Sequence, residues 1–459
     1  MTGWNGPLQG LAASLRAEGG RGSLITLTGV TTGVGEARGT GARTALIVAV
    51  VLGAAFVLVV VLRTPWTPLP TPPGGHVPID PTAGLPADVV ARADSFAAAL
   101  RPASLANLVL SLAVAGVFGL TRLGGRLVRA VAAPLGGGWF WQVVLGTVVL
   151  TGIGYLVTLP LAAYGEVVRH RYGLSTRTWP LFFRDVAVSA GINAGLTALV
   201  MLVLVALARR SPRLWWAWAA GAAAALVVVG SFLYPVVIEP AFNSFHSLPA
   251  GELRTQILDL ADRNGTPVQD VLVSDASRRT TGLNAYVSGF GSTRRVVLYD
   301  TVLTALPDDE IESIVAHELG HVATDDVLTG TLIGALGAAF GVAVLGLLLG
   351  WSPLLRRAGA DGPGDPRAVP LILFLVAVGM VLATPVQNLV SRHIEARADA
   401  HALELTHNPT AFVSMQQRLA VTNLAQPDPP AAWQWFFGSH PTTAERVAMA
   451  GDWVRLEGR

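Results

Sequence analysis

A predominantly α-helical protein that crosses a membrane about seven times, with a small α+β unit outside the bilayer, is the fold this 459-residue chain predicts. Three observations carry the reading. Hydrophobic residues make up 52% of the chain and charged ones only 14%, against about 25% charged in soluble proteins. Seven apolar stretches reach the length of about 20 residues that a helix needs to span a bilayer. Between the fifth and sixth, the chain turns polar and β-branched, with the turn signals of a small mixed domain.

In chain order, residues 1–43 are rich in Gly, Thr and Arg without sustained periodicity and are expected to be disordered. The first span, 44–62, lies between Arg43 and Arg63. It sits too far from the start, and lacks the small-residue cleavage site, to be a signal peptide. Four more follow at 104–121, 139–162, 187–208 and 214–236, giving a five-span region over 44–236. A connector over 63–103 contains TPWTPLPTPPGGHVPIDPTAGLPA (64–87), which is expected to run extended.

Residues 237–327 read as mixed structure. LRTQILDLADR (253–263) has helical periodicity and VLVSD (271–275) is a strand. NAYVSGF (284–290) and RRVVLYD (294–300) are β-branched and aromatic, and the GST between them suits a hairpin turn. LPDDEIESIVAHELGH then begins a helix, with Pro307 near its first turn and acids at its positive end. A two-span hairpin over 328–390 has spans at 328–350 and 370–390. The first carries Gly330/Gly334, Gly337/Gly341 and Gly346/Gly350 at GxxxG spacing. That is either a helix-contact face or simply Ala/Gly-rich composition. Residues 391–459 are mainly helical by pattern.

Net charge is +2 and no basic block is present, which argues against nucleic acid as a partner. The chain has no cysteine, which excludes disulfides, thiolate nucleophiles and Cys-bound zinc. Any metal must sit on His, Asp or Glu. Residues 312–324, ESIVAHELGHVAT, place His317 and His321 four apart on one helix, so both imidazoles project from nearly one face. Glu318, about 100° round the helix from His317, flanks such an ion without ligating it. From there it reaches a water activated at the site and accepts its proton as general base. The alternative is a helix that happens to carry two histidines; the apolar flanks and small Gly320 favour zinc.

A catalytic zinc takes three protein ligands and keeps one position open. VATDDVLTG after His321 supplies no histidine. The next candidates lie in SRHIEARADAHAL (391–403), where Glu395 and Asp399 stand one turn apart. Glu395 can ligate while Asp399 orients a ligating histidine. His393 and His401 are rivals for the third position, and Glu395 could instead pair with Arg392.

With these residues in hand, the chain resembles the type I CAAX prenyl protease family, the seven-span membrane zinc endopeptidases. The likeness covers roughly 150–459 and rests on RYGLSTRTWPLFFRD (171–185), PAFNSFHSLPAGELRTQI (240–257), SRRTTGLNAYVSGF with RRVVLYDTVL (277–303), HELGH, SRHIEARADA and SHPTTAERV (439–447). It implies a helical barrel around a water-filled chamber closed at one end by one zinc, with ligands His317, His321 and Glu395 and with Glu318 as base. It further implies that Asn284, in the Asn284–Ala285–Tyr286 motif, lines the substrate cleft, and that His440 lies near the scissile carbonyl, where a donor stabilises the oxyanion. Arg446 reads as structural, paired with an acid near the ligand helix. By pattern, NAYVSG is a short edge strand to which an extended peptide could add, or else an ordinary hairpin strand.

The expected substrate is a peptide or membrane-associated protein, including C-terminal or prenylated ones, in the lipid bilayer of the cell membrane. A heat-shock-type quality-control membrane protease has fewer spans. A seven-span transporter or receptor would place charges along its helices, whereas these spans are nearly charge-free. An inactive scaffold would not need the intact HELGH and Glu395. Arginines near span ends number eleven on the N-terminal side and ten on the catalytic side, so the positive-inside rule does not choose. The resemblance implies a cytoplasm-facing zinc site.

Overall fold

The computed structural model describes residues 24–458 apart from 234–236, 238 and 290, with the backbone alone for 24–42 and 292. The helices of the first half are α1 (Leu24–Arg63), α2 (Ala87–Gly119), α3 (Arg122–Ala132), α4 (Trp139–Tyr172), α5 (Trp179–Arg210) and α6 (Trp215–Leu233). The mixed segment contains β1 (Phe245–Ser247), α7 (Glu252–Arg263), β2 (Asp270–Ser274), β3 (Ala285–Ser288), β4 (Arg295–Tyr299), α8 (Asp300–Ala305) and α9 (Asp308–Ala323). Then come α10 (Asp326–Gly350), α11 (Ser352–Ala358), α12 (Val369–Thr406), α13 (Pro409–Asn423), α14 (Ala431–Phe437) and α15 (Thr443–Leu456). Seven of these helices are long and apolar enough to cross a membrane, at the places the hydropathy predicts.

Three boundaries differ from the sequence expectation. The helix of the first span reaches back to Leu24; residues 1–23 lie outside the described residues. Once the apolar span has nucleated a helix, each added residue needs only propagation, which Gly and Thr slow without stopping. The connector 63–103 ends at Ala87, where α2 begins and runs straight through Pro102. One missing N–H is tolerated in a membrane helix whose neighbours re-satisfy the backbone. The seventh span and the polar segment after it form a single helix of 38 residues, α12. The step in polarity at 391 marks where the helix leaves the apolar layer, not where it ends.

The spans close into a ring. α10 packs on α6, α6 on α5, α5 on α4, α4 on α2, α2 on α12 and α12 back on α10, while α1 lies against α10 from outside. The α1–α10 contact uses small residues: Gly53 faces Phe340, and Gly337 faces Phe56. The hydrophobic core is split between the two ends of this ring. One cluster joins Leu204, Val205, Trp215, Leu345, Leu349 and Leu371. The other joins the sheet, α7, α9, α13 and the polar end of α12. The most apolar 18-residue stretch of each span is only 6–28% buried within the protein.

The sheet has the order β1-β2-β4-β3. β2 and β4 are parallel, and β3 and β4 form the expected hairpin with Gly291–Thr293 between them. Ala285, Val296 and Leu298 turn into the core beneath α9. β1 and β3 are its two edge strands.

Candidate active site

α9 and α12 bring the candidate ligands together. Ile311, Ile314, Val315, Ala316 and Leu319 seat α9 in the core, and its N-terminal turn holds Asp308, Asp309 and Glu310 at the positive end of the dipole. The buried Glu310 accepts from Ser414 (2.6 Å) and Arg418 (2.9 Å), tying α9 to α13. Gly320 is small for a reason. A Cβ there would lie 3.1 Å from the His401 Cβ and 3.3 Å from the Ala398 Cα, so any larger residue would push α12 away from the histidines.

His317, His321 and Glu395 each offer a ligand atom, all within 4.8 Å of one another. The two Nε2 atoms are 3.2 Å apart, and Glu395 lies 3.2 Å from His317 Nε2 and 3.7 Å from His321 Nε2. On the far side of each ring stands a carboxylate: Asp399 is 2.8 Å from His317 Nδ1, and Asp326 is 2.9 Å from His321 Nδ1. In a neutral ring each carboxylate draws the proton to Nδ1 and leaves the Nε2 lone pair for a metal. The two Nε2 atoms and a carboxylate oxygen therefore converge on one point, an arrangement that a cation satisfies. Burial works against a charged His317, yet Asp399 and Glu395 outweigh it and raise its pKa to about 10. A cation on Nε2 would take the place of that proton, and the donor set of two imidazoles and a carboxylate suits zinc.

Asp326 is the residue that sequence reasoning misses. α9 stops at Ala323, and Asp325 adopts φ 53°, which swings Asp326 back beneath His321 as α10 begins. Arg397 from α12 pairs with its other oxygen. The one signal for it is the acid pair in VATDDVLTG, whose second member lies five residues past His321.

Both rival histidines are engaged elsewhere. His401 Nε2 is 2.6 Å from Asn264 Oδ1. His393 Nδ1 is 2.9 Å from the Leu389 carbonyl, and its ring packs edge-on against Trp66. Arg392, which could have claimed Glu395, instead donates to the Gln434 and Gly438 carbonyls. Arg446 is buried and sits 3.4 Å from Glu395 and 3.2 Å from Asp399, its charge balancing two carboxylates on successive turns.

Glu318 lies beside the cluster, and burial raises its pKa against the opposing pull of His317 and His321. His440 is exposed, with Nε2 3.3 Å from Glu395. Its Nδ1 is 2.9 Å from the Ser439 hydroxyl. When that hydroxyl donates, the ring proton sits on Nε2 and points toward the cluster.

The Asn284–Ala285–Tyr286 motif divides. Asn284 is exposed at the start of β3, Ala285 turns its methyl into the core, and the Tyr286 hydroxyl lies 3.3 Å from Glu239. Ala285 can therefore offer only its backbone, because the β3 side chains alternate and its own faces α9.

The chain matches known proteins along most of its length. The profile of peptidase family M48 covers residues 247–454, and that of the CAAX prenyl protease N-terminal region with five membrane helices covers 85–244. An uncharacterized metalloprotease of Bacillus subtilis, YhfN, is 38% identical over 68% of this chain and 74% of its own. A CAAX prenyl protease 1 homolog of Oryza sativa is 30% identical over 65% of this chain and 70% of its own. The crystal structure of S. mikatae Ste24p shares the fold, with a TM-score of 0.69 over 88% of this chain and 98% of that one at 22% identity.

Proposed function

The chain belongs to the type I CAAX prenyl protease family and is a multi-pass membrane metalloprotease; on that premise we propose that it is a zinc endopeptidase with His317, His321 and Glu395 as ligands. The observation that carries this reading is the convergence of two Nε2 atoms and Glu395, each histidine backed by its own carboxylate. Zinc held there supplies Lewis-acid activation of water and of the scissile carbonyl. Glu318 takes the proton of the attacking water and passes it to the departing amine. His440 donates to the developing oxyanion, and Arg446 holds Glu395 and Asp399 in place. Substrate lies extended along β3, which presents an open edge for strand addition, with Asn284 contacting its backbone. Peptide segments of membrane-associated proteins, including C-terminal or prenylated ends, are the proposed substrates. Seven spans favour this reading over a heat-shock-type protease.

Protein purified without chelators is expected to carry one zinc per chain, matching the single ligand group among the described residues. Peptide cleavage should vanish on chelation and return with added zinc. Full cleavage by metal-free protein would overturn the proposal.

We place the zinc site on the cytoplasmic face of the cell membrane. Seven spans put the ends of the chain on opposite sides. Since the chain has no cysteine, single cysteines at Gly138 and Asp259, both exposed, report topology without background. In intact cells a membrane-impermeant maleimide should label Gly138→Cys and spare Asp259→Cys. The reverse pattern would turn the protein over.

A further inference from the structure

The end of the ring opposite the candidate ligands, about 40 Å away along α12, carries a charge that the chain leaves uncompensated. Three segments meet there, 120–138, 209–214 and 351–368, and they hold nine arginines against two acids, Asp361 and Asp365. Both acids are taken by one of the nine, Arg367. Among the described residues no carboxylate pairs with the other eight, and all eight are exposed. The ligand end differs: Arg177, Arg279 and Arg446 are held by Glu166, Asp185 and Glu395.

The helix α3 shapes this surface. Gly124 and Gly125 press it onto the start of α12: a Cβ at Gly124 would lie 2.7 Å from the Pro370 Cβ, and one at Gly125 3.2 Å from the Arg367 Cβ. Val128 and Ala132 are buried as well. Arg122, Arg126 and Arg129, spaced i, i+4 and i+7, share a different face and are exposed. Beside them α11 packs on α3 and adds Arg356 and Arg357. Apolar side chains stand among these cations. Leu123, Leu135, Trp141 and Trp351 are exposed, and the Arg209 guanidinium lies 5.2 Å from the centre of the Trp139 ring. Tryptophans at the ends of spans mark the headgroup level of a bilayer. The arginines therefore lie at the depth of lipid phosphates.

We propose that α3 and α11 form a docking face for anionic phospholipids of the leaflet farther from the ligand cluster. The guanidinium fork matches a phosphodiester through two parallel bonds. Every phospholipid offers that group, but eight uncompensated cations on one surface select a headgroup whose net charge is negative. A soluble polyanion would answer the charge and leave Leu123, Leu135 and Trp351 in water. A lipid answers both, as it does for amphipathic helices that lie in a membrane surface. Because α3 packs on α2, α4 and α12 together, lipid bound there braces three spans at their ends.

The test uses the full-length protein in nanodiscs of equal phosphatidylglycerol and phosphatidylcholine. After extraction into mild detergent, the lipid that stays bound is identified by mass spectrometry. Wild type should retain phosphatidylglycerol over phosphatidylcholine by at least about fivefold, the effect of one arginine at an anionic surface. The combined variant Arg122→Gln, Arg126→Gln, Arg356→Gln and Arg357→Gln should bring that ratio close to one. The four corresponding Arg→Lys changes should keep most of it, since a point charge still binds phosphate. Arg92→Gln, Arg171→Gln, Arg278→Gln and Arg455→Gln together, all exposed at the other end, remove the same charge and should leave the ratio as in wild type. If the four-residue variant fails to fold, Arg122→Gln with Arg126→Gln should still lower the ratio by about twofold or more. Equal retention of both lipids by wild type overturns the inference, as does a preference kept by the α3 and α11 variants or lost equally by the variant at the other end. Release of the lipid by inorganic phosphate, beyond that by chloride at the same ionic strength, would also overturn it and make this a site for free phosphate.

Discussion

Glu318→Gln protein is expected to hold its zinc and to lose peptide cleavage by at least about 10²–10⁴-fold, the range over which a positioned general base contributes. The two effects separate because Glu318 is next to His317 on α9 but about 100° away around the helix. It borders the cluster formed by His317, His321 and Glu395 without belonging to it. Glutamine keeps the length and planarity of the side chain and removes only its capacity to take a proton. Burial raises the Glu318 pKa above the ordinary glutamate value, which makes the carboxylate a stronger base than an exposed one. Metal analysis beside kcat/KM checks both halves. A variant that cleaves at near wild-type rate would remove Glu318 from the mechanism. One that loses both zinc and activity would make it a ligand or a structural residue.

Features with short periods are legible in the amino-acid order alone. Seven apolar runs, the i, i+4 histidines and the β3–β4 hairpin are all local patterns, and each appears where its pattern predicts. Glu395 can be named as a candidate ligand from sequence, but only against His393 and His401, because a site built from two helices leaves no spacing rule along the chain. What decides among them is contact: Asn264 takes His401, the Leu389 carbonyl and Trp66 take His393, and Gly320 lets α12 approach closely enough for Glu395 to arrive. Asp326 is hidden for a different reason. Its placement depends on Asp325 adopting a left-handed conformation that non-glycine residues rarely adopt. Helix length is misread wherever polarity changes along one element, as in α12, where a membrane helix becomes a ligand-bearing one without a break. Hydropathy reports the surroundings of a helix, not its end.

The ligand set predicts a graded response to substitution, and its largest step is at Glu395. Glu395→Ala removes one of three ligand groups, leaves Arg446 and His440 facing an empty place, and should drop zinc occupancy well below one per chain. His393→Ala and His401→Ala should keep the metal, since neither ring points at it. Between these extremes stand the two carboxylates that orient the histidines. Asp399→Asn and Asp326→Asn keep the side-chain shape but no longer draw the proton to Nδ1, so each should weaken zinc binding by about 10–100-fold. The Asp399 change carries the further cost of freeing one arm of the buried Arg446, and Asp326→Asn that of freeing Arg397. Competition against a chromophoric zinc chelator ranks all five variants, with helical circular dichroism to confirm that each has folded. Should His393→Ala empty the site while Glu395→Ala keeps it full, the third ligand is misassigned. Should the two aspartate variants bind like wild type, their carboxylates merely sit beside the histidines, and the proton placement that leaves both Nε2 lone pairs facing Glu395 would need another cause.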